Sequence, residues 1–375
     1  MIEKINRRDF IKRASKLSLL GAGLLLSNSF LTSCAKHQIE KEEKKASKGR
    51  IFFSGKSLGY SFFIVQQEAL QRAVEARGYE FFFEIANMNE SKQFKQIETA
   101  VRKQPTAVIC DPVASDLNFS SQLNSLVEQG IPVGIVDTPI ENVNATITVA
   151  FDNYKAGELA AKKVVQLLIN KHGEPKGSVL NCFADLKSEA WRLRKEGFEN
   201  FIKKYKKVNL ISKGTNGDIT KMYDVTNEII IKNPQLDAIH APSETPARGI
   251  YEALIANKKL KPVGNPNHII FVTIDGEPIA HKWIKEGILD VSISQDPIAY
   301  GEICAEIIID YFLKNKQVPT NDYASNRYYW GHATFKMTKH GASLIIPPFT
   351  IDKKNVDEKR HWANIAYDEW GMKHL

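Results

Sequence analysis

Asp137, Asp275 and Gln295 each stand where an apolar run gives out: Pro132–Val136 ends at Asp137, Ile269–Ile274 at Asp275, and Ile288–Ser294 at Gln295. A carboxylate that closes an apolar strand needs a partner, because an unpaired buried charge is costly. Asp275 precedes Gly276, so it also suits a turn or a helix cap, and Gln295 leads into a Pro-x-x-x-Gly helix start at Pro297. Arg194 lies near a helix start with Lys187, Arg192 and Lys195 as basic neighbours. It is either a cation for such a carboxylate or part of a solvated basic face. Phe62 and Phe63 follow the first strand at helical spacing, which allows one ring in a core and the other in a cleft.

The usual cofactor and metal signatures are missing. No Gly-x-Gly-x-x-Gly follows a strand, so a dinucleotide site of the usual kind is not expected. Gly55-Lys56-Ser57 ends like a phosphate loop, but that motif needs glycine at position 50, where Arg50 stands, so the triplet reads as turn residues. The nine histidines show no His-Glu-x-x-His pattern, so a zinc site has no sequence support. Cofactor, metal and catalytic residues are therefore not expected. Cys110 and Cys182 sit in strand-like runs and Cys304 in a helical one, which reads as buried thiols, with a disulfide between two of them as the other reading.

The elements that carry these residues alternate. Ile51–Ser54, Glu80–Ala86, Ala107–Cys110 and Pro132–Val136 read as strands; Phe62–Arg77, Ser91–Lys103 and Phe119–Gln129 read as the helices between them. The rhythm restarts with helix Asp152–Lys171. Strands at Ser178–Phe183, Val208–Ser212, Ala238–His240, Ile269–Ile274 and Ile288–Ser294 follow, with helices at Ser188–Tyr205, Asp218–Lys232, Glu244–Asn257, Pro278–Lys285 and Pro297–Lys314. Such alternation demands parallel sheets with helices on both faces. The length of 375 residues suits two doubly wound, Rossmann-like α/β domains. Ligands of such sheets bind outside the carboxyl ends of the strands, and two facing sheets make a cleft.

Composition is that of a globular chain, with 43% hydrophobic and 25% charged residues, which excludes disorder. The formal charge of +8 is front-loaded: residues 1–33 carry Lys4, Arg7, Arg8, Lys12, Arg13 and Lys16 against Glu3 and Asp9. The remainder is too weakly basic to imply nucleic acid. Leu17–Leu31 is an apolar stretch shorter than the roughly 20 residues a membrane span needs. It suits the core of an export signal. Residues 34–49 are polar and charged and read as a flexible tether.

Residues 1–34 resemble a twin-arginine signal (Arg7-Arg8) joined to a bacterial lipoprotein box, Leu31-Thr32-Ser33-Cys34. That resemblance makes Cys34 the lipidated first residue of the mature protein. The body resembles the type I periplasmic sugar-binding proteins, the ribose-binding group of transporter receptors. The resemblance rests on Phe62-Phe63 after the first strand, Gly130-Ile131-Pro132-Val133 leading to Val136-Asp137, FDNYKAGELAA at 151–161, RLRKEGF at 192–198, IDGEP at 274–278 and SQDPIAYG at 294–301. The strings run in order over about residues 50–320. The family implies two lobes joined by a three-segment hinge, with a sugar held in the cleft by closure. It places 50–151 plus 297–325 in the first lobe and 152–296 plus 326–375 in the second, with crossovers near Phe151–Asp152, Gln295–Pro297 and Ser325–Tyr328. By position Asp137, Arg194, Asp275 and Gln295 match its polar ligands, and Phe62 and Phe63 its stacking rings.

Departures bear on the ligand. Thr138 stands where ribose-type members have arginine; Tyr60 and Ser243 each stand where they have asparagine, and Gly217-Asp218 where they have an aromatic residue. Trp191 is the candidate for the missing ring, with a core tryptophan as its ordinary reading. The resemblance implies a lipid-anchored, monomeric receptor that hands a sugar or polyol to an ABC permease. A ligand sensor for a chemoreceptor or kinase, and an exported enzyme, are the other readings. Repressors share this fold, but here an export signal stands where a DNA-binding motif would be, so no nucleic-acid partner is expected.

Overall fold

The computed structural model describes residues 47–113 and 117–375. The signal-like segment 1–33, Cys34 and the tether up to residue 46 lie outside the described residues. None of the described helices is long and apolar enough to cross a membrane.

Two mixed, mostly parallel sheets form the body. The first is built on β1 (Arg50–Gly55), β2 (Glu80–Ile85), β3 (Ala107–Cys110), β4 (Val133–Asp137) and β5 (Ile147–Phe151), all parallel and lying side by side as β2-β1-β3-β4-β5. The second is built on β6 (Gly177–Phe183), β7 (Val208–Gly214), β8 (Leu236–His240), β9 (Ile270–Asp275) and β10 (Val291–Ser294), in the order β7-β6-β8-β9-β10. Both are the doubly wound 2-1-3-4-5 arrangement, whose ligand position is the carboxyl end of the strands beside the first. The central strands are buried along their whole length (β3, β4, β9 and β10), as strands covered on both faces must be.

Helices between the strands start where the sequence offers a cap. Asp152 accepts from the Lys155 amide at 2.9 Å to open α4 (Asn153–His172), which follows α1 (Ser61–Glu75), α2 (Glu90–Val101) and α3 (Leu117–Glu128). Gly173, at φ 76°, ends α4 in the left-handed conformation. The second lobe adds α5 (Glu189–Ile202), α6 (Ile219–Lys232), α7 (Glu244–Ala256) and α8 (Pro278–Lys285). The chain then returns to the first lobe with α9 (Pro297–Glu306), capped by Asp296 and continued by one π-helical turn at Ile307–Tyr311. Cys110, Cys182 and Cys304 are free and buried.

The chain leaves the first sheet after Phe151 and the second after Ser294. Its last passage between the sheets comes later than Ser325–Tyr328. β11 (Asp322–Ala324), β12 (His332–Thr338) and β13 (Gly341–Ile346) all extend the first sheet, with β13 parallel to β5 from Ala342–Ile147 to Ile346–Phe151. Only then does the chain cross, through Pro347-Pro348, into β14 (Phe349–Ile351), antiparallel to β10. Residues 326–346, expected in the second lobe, therefore belong to the first. β13 supplies an alternating buried face of Ala342, Leu344 and Ile346 that completes the sheet beyond β5.

Candidate functional site

The first lobe brings three loops together at the carboxyl ends of β1, β3 and β4. Lys56, directly after β1, places its Nζ 3.0 Å from Asp111 Oδ1, 2.8 Å from Asp137 Oδ2 and 2.7 Å from Thr138 Oγ1. An ammonium has three protons, so this one is spent on its neighbours. The Thr138 hydroxyl donates to the same Asp137 Oδ2 at 2.9 Å, which leaves Oδ1 to face elsewhere. Asp137 sits at φ 64°, an uncommon conformation for a non-glycine residue. Burial pushes the Asp111 carboxyl up to about 8 against the pull of Lys56. Burial alone would lower the Lys56 ammonium, but Asp111 and Asp137 outweigh it and hold it above its usual range.

The second lobe builds its half around Arg194. Helices α4 and α5 cross closely enough that a Cβ on Gly157 would lie 2.0 Å from the Arg194 carbonyl oxygen, so only glycine permits this seating of Arg194. The guanidinium donates through Nε to Asn153 Oδ1 at 2.8 Å and through Nη1 to Pro242 O at 2.6 Å and Asp275 Oδ1 at 2.8 Å. Among the described residues none of these bonds uses Nη2. Gln295, in the second crossover, donates to Asp275 Oδ1 at 2.6 Å and accepts from Tyr300 of α9 at 2.9 Å, so the network bridges the lobes. Asp275 is held at φ 125°. Burial raises its carboxyl, and Arg194 opposes that rise.

Between these halves lies a small cavity of about 60 Å³. Tyr60, Phe62, Phe63, Asp137, Trp191, Arg194, Ser243, Asp275 and Gln295 all border it, together with Lys56, Met88, Ser188 and Ala190. Phe62 is buried yet reaches the cavity, and it meets Phe63 edge-on at 5.3 Å between ring centres. Trp191 lies over Gly217, where an added Cβ would stand 2.6 Å from the indole; at φ 71° glycine is suited on both counts. Burial, then Asp275, pushes the Tyr60 hydroxyl up to about 12, so it is a neutral donor and acceptor. A larger open groove of about 910 Å³ runs between α2 and α3, on the flank of the first lobe, but it lacks the paired buried charges of the cleft.

Sequence reading missed Lys56 and Asp111. In sequence Lys56 looks like a turn residue of a broken phosphate-loop motif; its actual partners are 55 and 81 positions away, outside any local pattern. Asp111 had the same signal as Asp137, a carboxylate directly after an apolar strand. Beneath Asp275, oxygens of Glu244, Asp275 and Glu277 lie within 4.8 Å of one another. Glu244 accepts from the Thr273 hydroxyl at 2.7 Å, the Ser292 hydroxyl at 2.5 Å and the Gly276 amide at 3.3 Å. Burial and then Asp275 raise Glu244 and Glu277, the latter to about 8, so protons relieve this cluster. A metal ion there would have to displace those hydroxyl and amide donors.

The geometry agrees with known proteins. Residues 51–317 match the family model described as periplasmic binding protein domain. The ribose import binding protein of Bacillus subtilis (strain 168) is 26% identical over 304 residues, covering 79% of this chain and 93% of that protein. The D-xylose-binding periplasmic protein of Escherichia coli (strain K12) is 21% identical over 339 residues, covering 89% and 96%. Among solved structures, a carbohydrate transporter solute binding protein from Agrobacterium radiobacter in complex with D-arabinose superposes with a TM-score of 0.70 at 17% identity, over 86% of this chain and 100% of that one. A solute binding protein from Bacillus halodurans C-125 with bound myo-inositol gives a TM-score of 0.69 at 22% identity, over 85% and 99%. The matched residues span both lobes and the cleft between them, and the chain belongs to the periplasmic binding protein family.

Proposed function

We propose that this protein is the extracytoplasmic solute-binding component of an ABC importer and that one sugar or polyol occupies the cleft. The observation that carries the reading is the unused bonding capacity aimed between the lobes. Asp137 Oδ1 can accept while Arg194 Nη2 can donate, and the Tyr60 hydroxyl can do either. Neighbouring sugar hydroxyls both donate and accept, so they match such groups in pairs. The C–H faces of a sugar are apolar, and Phe62, Phe63 and Trp191 offer rings to stack on them. Relatives that bind ribose, D-xylose and D-allose support the class of ligand.

Ribose held in the ribose manner is not the reading, because the cation of the first lobe comes from Lys56 after β1 and not from position 138. The site closes when groups from both lobes share one ligand, which gives the closed form the differential affinity that shifts the population. We further propose that Cys34 anchors the protein by lipid and that the tether carries the body to the permease as a monomer. Thermal-shift screening against a sugar and polyol panel tests the ligand class, since a ligand of the folded form raises the melting point. A panel with no shift overturns it. A Cys34→Ala variant should be released from membranes; if it still sediments with them, the anchor is elsewhere.

A further inference from the structure

The chain does not stop at the third crossover. After β14 pairs with β10, residues 352–375 run back across both lobes. On the second lobe, Asp357 accepts from Lys285 Nζ at 2.8 Å and Asn364 Oδ1 meets His281 Nδ1 at 3.1 Å. On the first lobe, the Arg72 guanidinium of α1 sits 4.9 Å over the Trp370 ring, and Glu369 lies 3.8 Å from Arg327. Arg327 is in turn paired with Glu302 of α9 at 2.8 Å.

Midway along this segment Trp362 is fully buried. Its indole N–H donates to the Asp275 carbonyl at 3.0 Å, in the second lobe. Its ring meets Phe62, in the first lobe, edge-on at 6.4 Å. One side chain therefore touches a cleft residue of each lobe. Exposed ion pairs of the kind seen at Glu369 hold little on their own. A buried indole N–H deprived of its acceptor is costly, so the Trp362 contact resists separation.

We propose that residues 352–375 form a strap across the hinge, with Trp362 as the positioning residue that keeps Phe62 and Asp275 in register and limits how far the empty lobes open. The inference deepens the solute-receptor reading, because the restraint acts on the same cleft. Opening that carries Asp275 away from Phe62 must break either the N–H···O bond or the ring contact. The strap thus narrows the range over which the empty lobes open before a ligand closes them.

The test needs no ligand, so it stands apart from whether a sugar binds. Spin labels at Lys92→Cys and Lys187→Cys, exposed positions on the two lobes, are introduced into the full chain carrying Cys34→Ala. Pulsed electron–electron resonance then reads the distance between the lobes. Trp362→Ala should move the distribution to longer distances and broaden it. Trp362→Phe, which keeps a ring but loses the donor, should fall between that and the parent. A Trp362→Ala distribution identical to the parent overturns the proposal. Should that variant fail to fold, Trp362→Phe alone carries the test: a longer distance than the parent's supports the strap, and a parent-like distribution overturns it.

Discussion

The two lobes share one topology but build their halves of the cleft differently. In the first, Lys56 Nζ lies within 3.0 Å of Asp111, Asp137 and Thr138, so the cation fixes the Asp137 carboxylate at the border of the cavity. In the second, Arg194 is fixed by Asn153, Pro242 and Asp275 through Nε and Nη1, and none of these bonds uses Nη2. Lysine is a compact point charge, whereas the guanidinium is a planar fork with five donors. The difference teaches that one lobe offers an oriented acceptor and the other an oriented donor. It also sets unequal costs for breaking each half.

The largest effect belongs to the second lobe. Arg194→Ala should cost about 2–5 kcal/mol of ligand affinity by calorimetry. It should also lower the denaturant midpoint, because Asp275 stays buried with its cation gone, a loss of about 3–5 kcal/mol for such pairs. Asp137→Asn should cost less, about 1–3 kcal/mol of affinity, with the fold kept by the Lys56–Asp111 pair. Equal losses of stability in the two variants would erase the asymmetry between the lobes.

A pH series sharpens the comparison further. Burial pushes the Asp111 carboxyl up to about 8 in the folded protein, far above its ordinary value of 3.8. Between those values the folded chain holds a proton that the unfolded chain has released, so stability falls as pH rises through the window. Asp111→Asn lacks that slope. Its melting temperature relative to the parent should therefore climb from about pH 5 to about pH 8; a constant difference would mean that Asp111 is already ionised. The smallest effect is expected for Gly217→Ala. The left-handed backbone and the clash with Trp191 should cost about 1–2 kcal/mol of stability, with a modest rise in the dissociation constant as the indole shifts.

Much of this was legible in the sequence because the strands are short continuous apolar runs. A polar residue at the end of such a run, as at Asp137 and Asp275, marks the carboxyl edge where these sheets bind ligands. Gly157 and Gly197 in consecutive helices permit the close crossing that seats Arg194, yet the sequence shows only two helical glycines. Lys56 was illegible for a different reason: its meaning depends on Asp111 and Asp137, which only the parallel pairing of β1, β3 and β4 brings alongside. β5 was missed as a strand, and with it the place where β13 docks, which is why the third crossover was expected some twenty residues early. Trp362 carried no local signal, since its partners lie in the first helix and the ninth strand.

A crystal structure of the protein with the panel sugar that gives the largest thermal shift is the most direct test of the central claim. One ligand should lie between Phe62, Phe63 and Trp191, with hydroxyls within hydrogen-bond distance of Asp137 Oδ1 from the first lobe and Arg194 Nη2 from the second. A ligand bound by one lobe alone, or outside this cleft, would contradict the account.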